Sequence, residues 1–255
     1  LRYSPMAREG FGLALFSLGC GLTILFSLPE NQWLSEQIFT ITGLNVIELT
    51  QALPMQKLQT AAGIFSILAG TGGLFYMNKC YQIKARPFWY HLQTATSFIG
   101  NSLSLGAMVS GTVVIATLIS QQASQALILQ ALSVFGAVFT LGLFIETLGL
   151  IRHNSDLNNS ENEGGAAHYI QCTTFGKTYL LRNWLLGVNC LFAIALLIFD
   201  LDINIALSLW SVACLINIVT ALIGRALFYI LVIPTTMPGA FFWKNKGFEQ
   251  HARDI

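Results

Sequence analysis

The chain has 255 residues, of which 54% are hydrophobic and 10% charged, with a net charge of +1 and a mean hydropathy of +0.63. Soluble domains carry roughly 25% charged residues, so the composition excludes a soluble globular enzyme, and the near-zero net charge gives no purchase on nucleic acid. The expected fold is all-α, a polytopic bundle of transmembrane helices.

Crossing ~30 Å of hydrocarbon takes about 20 apolar residues. In chain order, runs of this kind cover about 10–28, 58–77, 93–119, 125–151, 180–199 and 203–233, which predicts six spans in a single integral membrane domain, 1–255. The segment 31–50, "NQWLSEQIFTITGLNVIELT", carries Glu36 and Glu48 among short apolar patches and reads as a surface helix or an ordered loop. The stretch 152–179, "RHNSDLNNSENEGGAAHYIQCTTFGKTY", is the polar low-complexity segment, expected as a loop that is mobile or held by a partner. A basic and aromatic tail, 238–255, closes the chain. The chain starts at Leu1 without a signal-like segment, so an N-terminally incomplete sequence is expected.

Six spans put both ends on one side, and the charges sort with them. Arg2, Arg8, Lys79, Lys84, Arg86, Arg152, Lys177, Arg182, Lys244, Lys246 and Arg253 fall on the side of the termini; Lys57 alone stands opposite, among Glu30, Glu36, Glu48, Asp200 and Asp202. The positive-inside rule makes the basic face cytoplasmic. This asymmetry records insertion; it also suits a docking surface, because "KARPFWYH" (84–91) and "FFWKNKGFEQHARDI" (241–255) mix cations with aromatics as interface cores do. Lys84, Arg86, Trp89, Trp243, Lys244 and Lys246 are the expected docking residues.

Metal and haem chemistry find little support. Cys20, Cys80, Cys172, Cys190 and Cys214 show no C-x-x-C spacing, and His91, His153, His168 and His251 are expected in loops or the tail, away from membrane depth. No haem, iron–sulfur cluster or metal is expected in this chain. What stands out is a sparse set of intramembrane polar residues: Arg8 and Glu9 at the mouth of the first span, Asn101 in the third, Glu146 in the fourth, and Arg225 with Tyr229 in the last. Glu9 begins a helix leaving the basic side, Glu146 stands five residues before its expected helix end, and Arg225 eight or nine before Pro234, so all fall in one leaflet. Arg225 can snorkel or tie helices together, and Glu146 can sit at a water-filled helix end. Alternatively these residues form one pocket for a quinone headgroup, in which a carboxylate takes protons while arginine or tyrosine donates hydrogen bonds to a carbonyl oxygen.

Three stretches together resemble the membrane-anchor subunit of bacterial dimethyl sulfoxide reductase, within the polysulfide-reductase-like group of quinol-interacting anchors. "RYSPMAREG" (2–10) is similar to the entry of that family's third helix, "MNKCYQIKARPFWYH" (77–91) with the following "LQTATSFIGNSLSLGAMV" to its fourth loop and fifth helix, and "ALIGRALFY" (221–229) to its last helix. In the family a glutamate would stand at Ala221. The resemblance implies eight helices, of which the first two precede this chain and would include a histidine that relatives use at the quinol site. It implies a quinol-binding role for the acidic residue at Glu9. It also implies a bacterial inner-membrane location, menaquinol or ubiquinol as the bound substrate, and two partners: an iron–sulfur electron-transfer subunit and a molybdopterin catalytic subunit. In that family the partners sit on the outer face, whereas the charges here make the basic face cytoplasmic. A small secondary transporter and a structural scaffold without a quinol are the competing functions; a transporter would be expected to carry its site near the midplane on broken helices.

Overall fold

A computed structural model describes residues 4–30, 32–43, 54–84, 88–158 and 163–230. Among them the secondary structure is helical throughout: α1 Pro5–Ser27, a 3-10 turn Leu28–Glu30, α2 Gln32–Thr42, α3 Met55–Tyr81, α4 Leu92–Ser120, α5 Gln125–Asn158, α6 Glu163–Thr173, α7 Gly176–Ile198 and α8 Ile203–Ile230. Six of these, α1, α3, α4, α5, α7 and α8, are long and apolar enough to cross a membrane. With 11 residues, α2 is too short to span; Ser35 ties it to the preceding turn, its hydroxyl donating to the Leu28 carbonyl at 2.6 Å. Large apolar side chains such as Ile67, Leu68, Leu215 and Leu222 are exposed along the spans, as a lipid-facing surface requires.

The chain divides into two compact units, Leu1–Cys80 and Tyr81–Ile255. In the first, α1 and α3 run antiparallel with small residues at their crossing. A Cβ on Gly12 would meet the Gly73 backbone at 2.8 Å, and one on Gly70 would meet the Phe16 ring at 3.0 Å. Without a hydrophobic driving force between helices in lipid, such close approach and its van der Waals contact supply the association.

In the second unit α5 is the central helix, packed against α4, α7 and α8. Its core is formed by Phe139 and Leu143 of α5, Leu186 and Ala193 of α7, and Trp210 and Ala213 of α8. Polar pairs cross between spans: the Trp210 Nε1–H donates to Thr112 Oγ1 at 3.2 Å, and Asn217 Nδ2–H to Ser104 Oγ at 3.4 Å. A second core lies at the entry to α4, where Trp89 stacks on Phe228 at 5.1 Å and 8° and meets Tyr81 edge-on at 5.0 Å.

The segment 152–179 departs from the expected polar loop. Helix α5 runs on to Asn158 and α6 covers Glu163–Thr173, while α7 already starts at Gly176. The reason is local: His153 and Leu157 of α5 and Ala167, His168 and Gln171 of α6 are all buried, so the segment has an inner face despite its polar composition.

Candidate functional site

In the first unit the polar residues gather at one end of the α1–α3 pair. Pro5 occupies the first turn of α1, where its missing N–H costs nothing, so Arg8 and Glu9 are held in the N-terminal turns of the helix. The Arg8 guanidinium lies over the Tyr76 ring, 5.4 Å from its centroid. Glu9 is partly buried and its carboxylate accepts from the Cys80 thiol at 3.4 Å. Beside them runs a groove of about 580 Å³ between the helices, lined by Arg8, Phe11, Gly12, Leu15, Gly72 and Tyr76 among others. Its walls are apolar and glycine-lined, and its polar end is Arg8 with Tyr76.

In the second unit Glu146 of α5 and Arg182 of α7 form an ion pair, the Arg182 Nη2–H donating to Glu146 Oε1. Both residues are deeply buried, at 2% and 3% exposure. A charge at this depth survives only with a partner, and each supplies it to the other. Glu146 stands twelve residues before the end of α5, not five, because the helix continues to Asn158. Arg182, expected among the surface cations of the basic face, is instead interior.

Next to this pair lies a small cavity of about 30 Å³, lined among the described residues by His91, Ser97, Gln171, Tyr179, Arg182 and Gly224, with others. Three histidines connect to it. His91 precedes α4, and its Nε2 contacts the Phe88 carbonyl at 2.9 Å. A carbonyl can only accept, so Nε2 carries the proton and Nδ1 is a bare lone pair. The His91 ring lies 4.6 Å from that of His153, which lies 5.0 Å from that of His168. Gln171 Oε1 accepts from His153 Nε2 and from His168 Nδ1, both at 3.4 Å, and the Cys172 thiol donates to His168 Nε2 at 3.5 Å. Burial holds His91 below its ordinary pKa, against the opposing pull of the Phe88 carbonyl and Asp156, and burial lowers His168 in the same way against Gln171. His153 and His168, expected in loops, thus lie on α5 and α6 with buried rings; His251 lies outside the described residues. Among the described residues no three His, Cys, Asp or Glu side chains come together as a metal-holding group.

The residues expected to share one quinol pocket divide by unit: Arg8 and Glu9 belong to one, and Asn101, Glu146, Arg225 and Tyr229 to the other. Asn101 is buried and donates from Nδ2 to the Ser97 carbonyl at 2.8 Å, leaving its Oδ1 without a hydrogen bond. The Arg225 guanidinium lies over the Phe98 ring at 4.5 Å, a cation–π contact that stabilises it within the span. Tyr229 is 57% exposed. Asn101, Arg225 and Tyr229 stand near the cavity in sequence, Ser97, Gly224 and Phe228 being their neighbours that line it.

Of the expected docking residues, Lys84 is exposed. Trp89 is a correction: at 6% exposure, with its Nε1–H donating to the Phe228 carbonyl at 3.1 Å, its ring is committed to the aromatic core and offers no face to a partner. Arg86, Trp243, Lys244 and Lys246 lie outside the described residues. The features that sequence reading misses are Arg182 as the partner of Glu146 and the histidine cluster. Starting the fifth span at Gly176 instead of 180 places Arg182 seven residues into the helix, among Leu180, Leu181 and Leu185, and marks it as intramembrane.

Compared with known proteins, the DMSO reductase anchor subunit family (DmsC) matches residues 27–231. No curated protein and no solved structure matches the chain. The matched region contains Asn101, Glu146, Arg182 and Arg225, and α1 with Arg8 and Glu9 precedes it. Since the match covers most of the 255 residues, and the fold supplies the apolar spans of a multi-pass membrane protein, the chain belongs to the family of DMSO reductase anchor subunits.

Proposed function

We propose that the chain anchors a DMSO reductase-type complex in the bacterial inner membrane, oxidises quinol, and passes the electrons to an iron–sulfur subunit that serves a molybdopterin catalytic subunit. The observation that carries the quinol site is the α1–α3 groove. Its volume of about 580 Å³ falls within the roughly 300–1,000 Å³ of small-molecule sites, and its shape matches an amphipathic ligand with a polar ring and an apolar tail. Arg8 and the Tyr76 hydroxyl donate to a headgroup oxygen, while the Glu9 carboxylate takes a proton from the quinol hydroxyl. Two-electron oxidation of the quinol releases two protons and yields the quinone; the electrons leave to the partner's cluster and the protons to water. This reading does not require Asn101, Arg225 or Tyr229 at the headgroup. Docking of the iron–sulfur subunit falls to the basic face, through Lys84, Arg86, Trp243, Lys244 and Lys246.

The test is Glu9→Gln in the native complex. Loss of a general base costs roughly 10²–10⁴-fold in rate, so quinol-driven turnover should fall by at least about 10²-fold while the subunits remain assembled. Unchanged quinol affinity and turnover in an intact complex would remove Glu9 from the site.

A further inference from the structure

We propose that Gly72 sets which quinols the α1–α3 groove accepts, because the apolar tail of the ligand lies against it. This rests on the reading of the groove as the quinol site, and adds to it the direction of the ligand and the residue that makes room for the tail.

The direction follows from the register of the two helices. A Cβ on Gly12 would meet the Gly73 backbone at 2.8 Å, and one on Gly70 would meet the Phe16 ring at 3.0 Å, so positions 12 and 16 of α1 stand level with 73 and 70 of α3. Arg8 and Tyr76, in contact at 5.4 Å, are therefore one turn nearer the polar end than Gly12 and Gly72, while Leu15 and Ala69 stand about one turn deeper. All six line the groove. From Arg8 to Leu15, and from Tyr76 back to Ala69, the path is about 10 Å at 1.5 Å rise per residue. Cation and phenol stand at one end, and the remaining lining side chains are apolar or absent. A ring hydrogen-bonded to Arg8 and Tyr76 thus sends its tail down the groove, across Gly72 and toward Leu15 and Ala69. In the opposite direction the headgroup oxygens would lie where no side chain can hydrogen-bond them, which is costly for buried polar groups.

Gly72 is the residue on this path with no other reason to be glycine. Gly12 must lack a side chain for the helices to cross. A Cβ on Gly72 would meet nothing within 4 Å, the residue sits inside a regular helix without positive φ, and glycine in that setting is less stable than alanine. Openness alone singles out nothing, since Gly63 on the same helix is open too and membrane helices are rich in glycine. Gly72 differs in standing on the groove floor. There the missing side chain leaves space for a ligand to approach the backbone closely. A tail contact is equally strong in the ground state and the transition state, so it acts on KM and not on kcat.

The test compares two quinols with the same ring in the native complex, one with a long isoprenoid tail and one with none. The ratio of variant to wild type is taken for each, so that partitioning of the tail into detergent cancels. Gly72→Leu should raise KM for the tailed quinol by at least about 10-fold, the scale of a misfit in an apolar pocket, with kcat held. The ring alone, which ends above Gly72, should be affected much less. Ala69→Leu enters the same path nearly one turn deeper and should show the same split, which decides the matter should Gly72→Leu fail to assemble. Gly63→Leu, open but away from the groove, should change neither quinol. Equal ratios for the two quinols overturn the proposal: if both are unchanged, no part of the ligand lies on Gly72, and if both are weakened alike, the ring lies there. Those results leave the quinol reading itself in place. A wild-type complex that oxidises neither quinol removes that reading, and the tail placement with it.

Discussion

Glu146 on α5 and Arg182 on α7 are joined by a buried ion pair although Arg182 stands more than two helical turns from Cys190, the α7 residue whose thiol meets Thr147 beside Glu146 at 3.5 Å. At 1.5 Å rise per residue those eight positions correspond to about 12 Å along α7, so the two contacts hold α7 to α5 at points more than two turns apart on α7. The pair therefore fixes the axial register of α7 against α5 as well as balancing charge.

Removing one partner should be worse than removing both. Arg182→Met leaves a buried carboxylate without compensation, a loss of about 3–5 kcal/mol in stability by analogy with other buried pairs. The double variant Glu146→Gln, Arg182→Met leaves no charge to stabilise and should recover much of that loss. Thermal unfolding of the purified complex, run as a double-mutant cycle, measures the coupling. Additive effects of the two single changes would mean that the pair contributes nothing as a pair.

The histidine cluster makes the docking of α6 depend on pH, with a sign that follows from burial. His91 and His168 both have folded pKa values below 6.5. Below pH ~6.5 the unfolded or undocked chain therefore binds more protons than the folded one. Their stabilising contribution is fully present above that pH and is lost as pH falls toward the folded values. Amide hydrogen exchange across Glu163–Thr173, corrected for the intrinsic pH dependence, should show weaker protection at pH 5.5 than at pH 7.5. Equal protection at both would show that α6 is held without these rings.

How far the sequence can be read depends on which signal each residue leaves. The spans are legible because a run of about 20 apolar residues matches the hydrocarbon thickness and exceeds what a soluble core helix needs, and the short α2 is legible because Glu36 interrupts its apolar patches. The segment 152–179 is not, because burial there is achieved by His153, His168 and Gln171, residues that composition counts as loop-forming. Glu146 stands out as an intramembrane carboxylate, but its partner reads as a surface residue, since a span boundary misplaced by four residues turns an interior arginine into a flanking one. Trp89 reads as an interface anchor because aromatic–cation mixtures occur both at interfaces and at helix entries. Only the ring stacking on Phe228, 139 positions away, tells the two apart.

That distinction is testable in Trp89→Ala. Truncating a buried tryptophan should cost about 3–5 kcal/mol and loosen the junction of α4 with α8, where Trp89, Tyr81, Phe98 and Phe228 meet. The expected result is a lowered unfolding temperature of the anchor itself, accompanied by altered emission from the remaining tryptophans. Release of the soluble subunits from an anchor of unchanged stability would instead restore Trp89 to a docking surface.

The placement of Glu146 depends in turn on glycines of the α4–α5 crossing. A Cβ on Gly142 would come within 2.6 Å of the Ser104 nitrogen and 2.7 Å of the Gly100 carbonyl oxygen, and one on Gly100 would meet the Gly142 carbonyl at 2.7 Å and the Glu146 Cβ at 3.1 Å. These are backbone contacts, so the helices themselves must separate, and Gly100→Ala presses directly on the residue that carries the ion pair. Gly106, on the same helix as Gly100, has nothing within 4 Å of its Cβ position. Overpacking costs about 1–3 kcal/mol, whereas alanine for glycine in an open helical position gains roughly 0.5–1 kcal/mol from backbone entropy. Gly100→Ala and Gly142→Ala should therefore lower the unfolding temperature of the purified complex, and Gly106→Ala should leave it unchanged or raise it. In addition, Gly100→Ala should be partly rescued in the Glu146→Gln, Arg182→Met background, where no ion-pair geometry remains to be disturbed. If all three alanine variants unfold alike, the close crossing of α4 and α5 does not set the position of Glu146.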